Sequence, residues 1–224
     1  MEKDDLFLES LAPYHLVFYH YPSAFQSELK FCYMENKSSS LRLVLLLIDI
    51  QEAFIKVLPK AESFQRRCSF AAKAAHLLQI PVFITEQIPD KLGVTLAELR
   101  DSVPRAKVFS KTTFSAFGAE NLEKTLVAEG IEHLLIAGLE TSVCVYQTAM
   151  DALTHGFKVT LLSDCVGGVV ESDSASVLDA LRTATDALVL PSETVFYSYL
   201  GTALHPKFRS YQQLVKEARG DQRK

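Results

Sequence analysis

The chain lacks tryptophan altogether and has only four cysteines and nine glycines in 224 residues. The cysteines, Cys32, Cys68, Cys144 and Cys165, lie far apart and form no CxxC pair. A domain of this length buries an adequate core without covalent staples, so a disulfide framework is excluded and reduced thiols inside a cell are expected. Long apolar runs are missing too. The longest, Leu43 to Ile48, stops at Asp49, far short of the roughly 20 residues of a bilayer helix. No Lys/Arg stripe follows any segment, and 27 acidic residues outnumber 23 basic ones for a net charge of −4. That leaves no docking surface for nucleic acid or an anionic membrane, and a small neutral or polar molecule is the expected partner. The six histidines show no ligand spacing and are assigned no chemistry; no cofactor is expected. Met1 to Glu9 carries Glu2, Asp4, Asp5 and Glu9, which suits neither a signal nor a transit peptide. The expected location is intracellular, chiefly cytoplasmic, with an organelle left open.

What is present divides the chain in three. Residues 1–40 are rich in aromatics, with Tyr14 to Tyr21 expected either as a short strand or lying against the domain surface, and end in the polar stretch Asn36-Lys37-Ser38-Ser39-Ser40, which reads as an extension and linker. Met34 is an alternative start. Residues 219–224 form a polar tail. Between them, residues 41–218 alternate strand and helix. Strands are expected at Leu43 to Asp49, Ile80 to Thr85, Val108-Phe109, His133 to Gly138, Lys158 to Asp164 and Ala187 to Leu190. Helices are expected at Phe64 to Leu78, Asn121 to Glu129, Ser142 to Thr154, Ser174 to Ala184 and Pro206 to Ala218. Apolar strands joined by amphipathic helices imply a doubly wound α/β fold, a mainly parallel six-stranded sheet with helices on both faces. Ligands in such Rossmann-like folds bind at the carboxyl ends of the strands.

Three residues stand at those ends: Asp49 after the first strand, Lys111 after the third and Cys144 after the fourth. A thiol in the first turn of a helix faces unpaired N–H groups, and an ammonium nearby would lower its pKa further, so a thiolate is expected. Asp49 can move protons between thiol, leaving group and water, and backbone amides at the turn can hold an oxyanion. Singly, each has a plainer reading: a core cysteine, a capping aspartate, a solvated lysine. Their joint placement at successive strand ends outweighs these. Gln51, Phe54 and Phe114 are expected to shape the pocket, Thr141 to cap the helix after the fourth strand, and Glu86 to lie solvated at the surface. Cys165 is read as structural.

The segments Asp49-Ile-Gln-x-x-Phe, Lys111-Thr-x-Phe-Ser and Gly138-x-Glu-Thr-x-x-Cys144-Val resemble the isochorismatase-like cysteine hydrolase superfamily. Flanking similarity appears at Ile80-Pro-Val-x-x-Thr85-Glu86-Gln87 with Leu92-Gly93, at Ser192-Glu193 and at His205-Pro206-Lys207-Phe208. These flanking motifs look like the eukaryotic and trypanosomatid isochorismatase domain-containing proteins. The resemblance implies an Asp49, Lys111 and Cys144 triad that hydrolyses a small amide- or ester-like substrate through a Cys thioester. It also implies a non-proline cis peptide at Leu139–Glu140 that aims the amides of Glu140 and Cys144 at an oxyanion, and a homo-oligomer. Nicotinamidases of the superfamily bind a metal through histidines, and residues 86–110 contain none; no catalytic metal is expected here. Isochorismate itself carries two carboxylates, and Arg105 is the only arginine near the three residues in sequence, so that substrate is not expected. The alternative function is a non-catalytic binding or redox-sensing protein that uses Cys144 within an oligomeric scaffold.

Overall fold

The computed structural model describes residues 42–220, so the expected extension, its Tyr14 to Tyr21 segment, Cys32 and most of the polar tail lie outside the described residues. Six strands, β1 (Leu43–Ile48), β2 (Val82–Gln87), β3 (Lys107–Lys111), β4 (His133–Leu139), β5 (Lys158–Gly167) and β6 (Leu188–Leu190), form one sheet in the order β3-β2-β1-β4-β5-β6. Every pairing is parallel. The fold is the doubly wound α/β sheet expected from the sequence. β1 is apolar throughout, and β4 is apolar after His133, because both of their faces are covered. Leu45, Leu47, Ile84, Leu135 and Ala137 point to one side, where they meet α1 (Ala61–Leu77), α2 (Ala97–Ser102), α6 (Ser192–Leu200) and α7 (Phe208–Arg219). Val44, Leu46, Ile48, Phe83, Leu134 and Ile136 point to the other, onto α3 (Leu122–Ala128), α4 (Tyr146–Thr154) and α5 (Glu171–Ala184). Helices α2 and α6, and the single turns Glu52–Ile55 and Pro89–Leu92, are additions to the sequence reading.

The strand order reverses between β1 and β4, which places a topological switch point there. Register does the rest. Ile48 lies opposite Gly138 and Thr85, and Gln87 lies opposite Lys111, so the residues leaving β1, β2, β3 and β4 come out side by side at one edge of the sheet.

Candidate active site

The three strand exits next to the switch point share a backbone signature. Asp49, Ile88 and Glu140, each the first residue past its strand, have φ of 53°, 38° and 56°. Left-handed backbone is uncommon away from glycine and is a true outlier for β-branched Ile88; strain of this kind collects at functional sites. Among the described residues no peptide bond is cis. The expected cis bond at Leu139–Glu140 is therefore corrected: left-handed Glu140 makes the turn out of β4, after Gly138 at φ 148°.

The structure brings Asp49, Lys111 and Cys144 together. Lys111 Nζ donates to Asp49 Oδ2 at 2.6 Å and lies 3.9 Å from Cys144 Sγ. Both ionic side chains are fully buried. Buried ion pairs suffer a desolvation penalty that only dense hydrogen bonding offsets, and this pair has it. Thr85 Oγ1 donates to Asp49 Oδ1 at 2.8 Å, while Lys111 also donates to Gln87 Oε1 (2.6 Å) and to the carbonyls of Thr113 (3.1 Å) and Phe114 (3.0 Å). Four oxygens thus compete for three ammonium protons.

Cys144 departs from expectation in its charge. Burial, and next the Asp49 carboxylate, push the thiol up to about 12, and the opposing pull of Lys111 is the weaker influence. The resting group is a neutral thiol, not the thiolate expected from a helix N-terminus and a nearby ammonium. The helix itself begins irregularly: Thr141–Val145 form a π turn, and the amides of Val143 and Val145 both donate to the Glu140 carbonyl. Thr148 Oγ1 donates to the Cys144 carbonyl at 2.7 Å and accepts from the Ala116 amide at 2.9 Å, which ties the turn that carries Cys144 to the loop after Lys111.

The secondary residues separate. Gln51 is wholly buried and its carboxamide is committed to backbone: Oε1 accepts from the Gln87 amide, and Nε2 donates to the carbonyls of Gln87 and Gly93. Its side chain fixes β2 against β1 and leaves no free hydrogen-bonding group for a pocket. Phe54 is half-buried against the α1 side of the core, Leu139 is buried in that core, and Phe114 is 54% exposed three residues from Lys111. Thr141 makes no cap hydrogen bond; its buried hydroxyl has no partner among the described residues, because the π turn carries it inside the element it was expected to cap. Glu86 is buried, not solvated, and accepts from the Thr95 amide. Cys165 packs with Cys68 on the α1 side, away from Cys144. Sequence reasoning missed Thr85 and Gln87 as partners of the ion pair. Their signal was a polar i, i+2 pair on one face at the end of an apolar strand.

A groove of about 300 Å³ between α1, α2 and α7, lined by Glu62, Arg66, Lys73, Glu98 and Leu214, lies on the α1 side and contains none of the three residues. Cys144 itself is 3% exposed. Among the described residues no three His, Cys, Asp or Glu side chains stand together as a metal site, and no helix is long and apolar enough to cross a membrane.

The family model described as the isochorismatase domain matches residues 44–193, a span from β1 into α6 that contains all three residues. The chain belongs to the isochorismatase family. An isochorismatase domain-containing protein 2 of Xenopus laevis is 34% identical over 181 residues, covering 80% of this chain and 85% of the relative. Its human counterpart of the same description is 32% identical with the same coverage. Among solved structures, one described as a MAR1 ribonuclease from Caenorhabditis elegans superposes with a TM-score of 0.73 at 29% identity, covering 78% of this chain and 90% of that one. The family match takes in all six strands and helices α1 to α6, in part or whole, and it contains Asp49, Lys111 and Cys144.

Proposed function

We propose that the chain is a metal-free cysteine hydrolase acting on a small amide- or ester-like substrate, with Cys144 as nucleophile, Asp49 as acid and base, and Lys111 as the fixed cation. The observation that carries this reading is the Lys111 ammonium held 2.6 Å from Asp49 and 3.9 Å from the Cys144 sulfur. A neutral thiol beside a carboxylate fits a cycle in which deprotonation and attack are coupled. Asp49 takes the thiol proton as sulfur bonds the carbonyl carbon, and the carbonyl electron pair becomes an oxyanion. Collapse expels the amine or alcohol with that proton and leaves a thioester. Asp49 then deprotonates water, which attacks the thioester and releases the acid and the thiol. With the Val143 and Val145 amides engaged by Glu140, the amides of Glu140 and Cys144 are the proposed oxyanion donors, and Leu139, Thr141, Phe54 and Phe114 the proposed walls. A homo-oligomeric working form belongs to the same reading.

The redox-sensing alternative loses its motive, since oxidants attack thiolates and burial with Asp49 disfavours one here. The ribonuclease named for the worm structure is not carried over: Lys111 is committed to four oxygens and offers no free charge to a phosphate. The test is to incubate the protein with a library of small amides and esters and to look for an acyl adduct on the Cys144 peptide by mass spectrometry. Wild type is expected to give the adduct and to turn over the substrate, and Cys144→Ala to fold and do neither. A Cys144→Ala variant that hydrolyses the same substrate at the wild-type rate would refute the mechanism.

A further inference from the structure

Gln87, which has no role legible in the sequence, is among the described residues the one neutral side chain whose oxygen bonds the Lys111 ammonium. Its Oε1 accepts from Nζ at 2.6 Å, as short as the bond from Nζ to Asp49. Nothing about its placement is loose. The Gln87 side-chain nitrogen donates to the Thr112 carbonyl at 3.1 Å, and its backbone is clamped in both directions by Gln51, amide to Oε1 at 2.7 Å and carbonyl to Nε2 at 3.0 Å. The carboxamide oxygen can therefore face only Lys111. Glutamate in this position would offer the same acceptor with a full negative charge.

We infer that Gln87 is a positioning residue whose neutrality sets the charge balance at Cys144, with Gln51 as its brace: it satisfies Lys111 with a carbonyl dipole and so keeps a second carboxylate out of the site. The groups whose charge bears on Cys144 are Asp49, Glu140 and Lys111, two acids and one base. The balance is already tilted against ionisation of the thiol. A second acid on Lys111 would draw the ammonium further from the sulfur, whereas loss of the Gln87 carbonyl would leave more of its charge for the sulfur. The inference rests on the hydrolase reading for its purpose, but not for its test.

The test is the pH–rate profile of iodoacetamide alkylation at Cys144 in the full chain, followed on the Cys144 peptide so that the other cysteines do not interfere. Below the thiol pKa the thiolate fraction changes tenfold per pH unit, so rates at pH 8 to 9 report shifts without reaching the midpoint. Gln87→Glu is expected to slow alkylation at pH 9 by threefold or more, and the near-isosteric Gln87→Met to speed it by threefold or more, each with a folded far-UV spectrum. Opposite shifts are the signature; a merely structural Gln87 would move both variants in the same direction or neither. Unchanged or same-direction rates in folded variants overturn the inference. Should Gln87→Glu fail to fold, Gln87→Met alone decides: acceleration supports the inference and its absence overturns it. Because alkylation needs no substrate, a negative acyl-adduct screen would count against the hydrolase reading and leave this result standing.

Discussion

Gly138 offers the sharpest test of how the sheet positions the site. It lies opposite Ile48 in the β1–β4 register, at φ 148°, and a Cβ built on it would sit 2.3 Å from the Ile48 carbonyl oxygen and 2.8 Å from its Cα. Those are backbone atoms of an inner strand and cannot turn away like the tip of a flexible side chain. Restoring ordinary van der Waals separation requires a shift of about 1 Å between β1 and β4. Overpacking of this kind costs about 1–3 kcal/mol, and a non-glycine residue in a disfavoured backbone region adds about 1–3 kcal/mol. Gly138→Ala is thus expected to destabilise by about 2–6 kcal/mol. For a domain of this size each kcal/mol lowers Tm by roughly 2–4 °C, so a drop of about 5–20 °C should appear in thermal unfolding followed by circular dichroism. Asp49 directly follows Ile48, and a 1 Å displacement of a reacting group can reduce turnover by about 10²-fold. A Gly138→Ala protein with Tm within 2 °C of wild type would refute the argument, since it would mean that the strands part without cost.

Two further perturbations address charge. His133 is buried, exchanges a hydrogen bond with Thr160 Oγ1, and is held down from 6.5 to about 4 by burial and then by Lys158. Between those values the unfolded chain binds a proton that the native state refuses, so stability is full above pH 6.5 and is lost as pH falls toward 4, by up to about 3 kcal/mol. Urea unfolding across pH 4–7 should show this slope reduced in His133→Gln; an identical slope in the variant would contradict it. Asp49→Asn removes the charge that, after burial, most disfavours the Cys144 thiolate. Alkylation of Cys144 at pH 9 is expected to rise at least tenfold while hydrolysis of any identified substrate falls by about 10²–10⁴-fold; slower alkylation would show that Asp49 does not act on the sulfur as described.

The six strands are legible in the sequence because an inner parallel strand must be apolar on both faces, and Leu43 to Ile48 or His133 to Gly138 can hardly be anything else. The meeting of Asp49, Lys111 and Cys144 is legible too, since the fold rule sends attention to strand ends and all three residues sit there. Register is what the sequence conceals. That Gln87 faces Lys111 depends on how β2 slides along β3, and no local pattern states it. The π turn at Thr141–Val145 hides for a related reason: Thr-Ser-Val-Cys-Val has no glycine or proline to mark a break from the helix that follows. The charge of Cys144 is not legible because Asp49, 95 positions earlier in the chain, outweighs the ammonium beside it, and burial is the largest influence of all.

A protonated Cys144 alters what the site asks of its buried ions. A resting thiolate would place two anions, sulfur and Asp49, against one ammonium in a setting where Cys144 is 3% exposed, and an unpaired buried charge is strongly destabilising. A neutral thiol leaves one anion matched to one cation. In the proposed cycle that balance is preserved. As Asp49 takes the proton, the negative charge passes to a sulfur 3.9 Å from Nζ, where attraction at an effective dielectric of 20 is about 4 kcal/mol, and then to the oxyanion. Charge moves around Lys111 and the total never changes. On this argument the ammonium need not lower the thiol pKa at rest: its task is to stay fixed by Gln87, Thr113 and Phe114 while its counter-ion changes from oxygen to sulfur. A mobile lysine would follow the carboxylate instead, which is why the neutral acceptors around Nζ matter as much as the charged one.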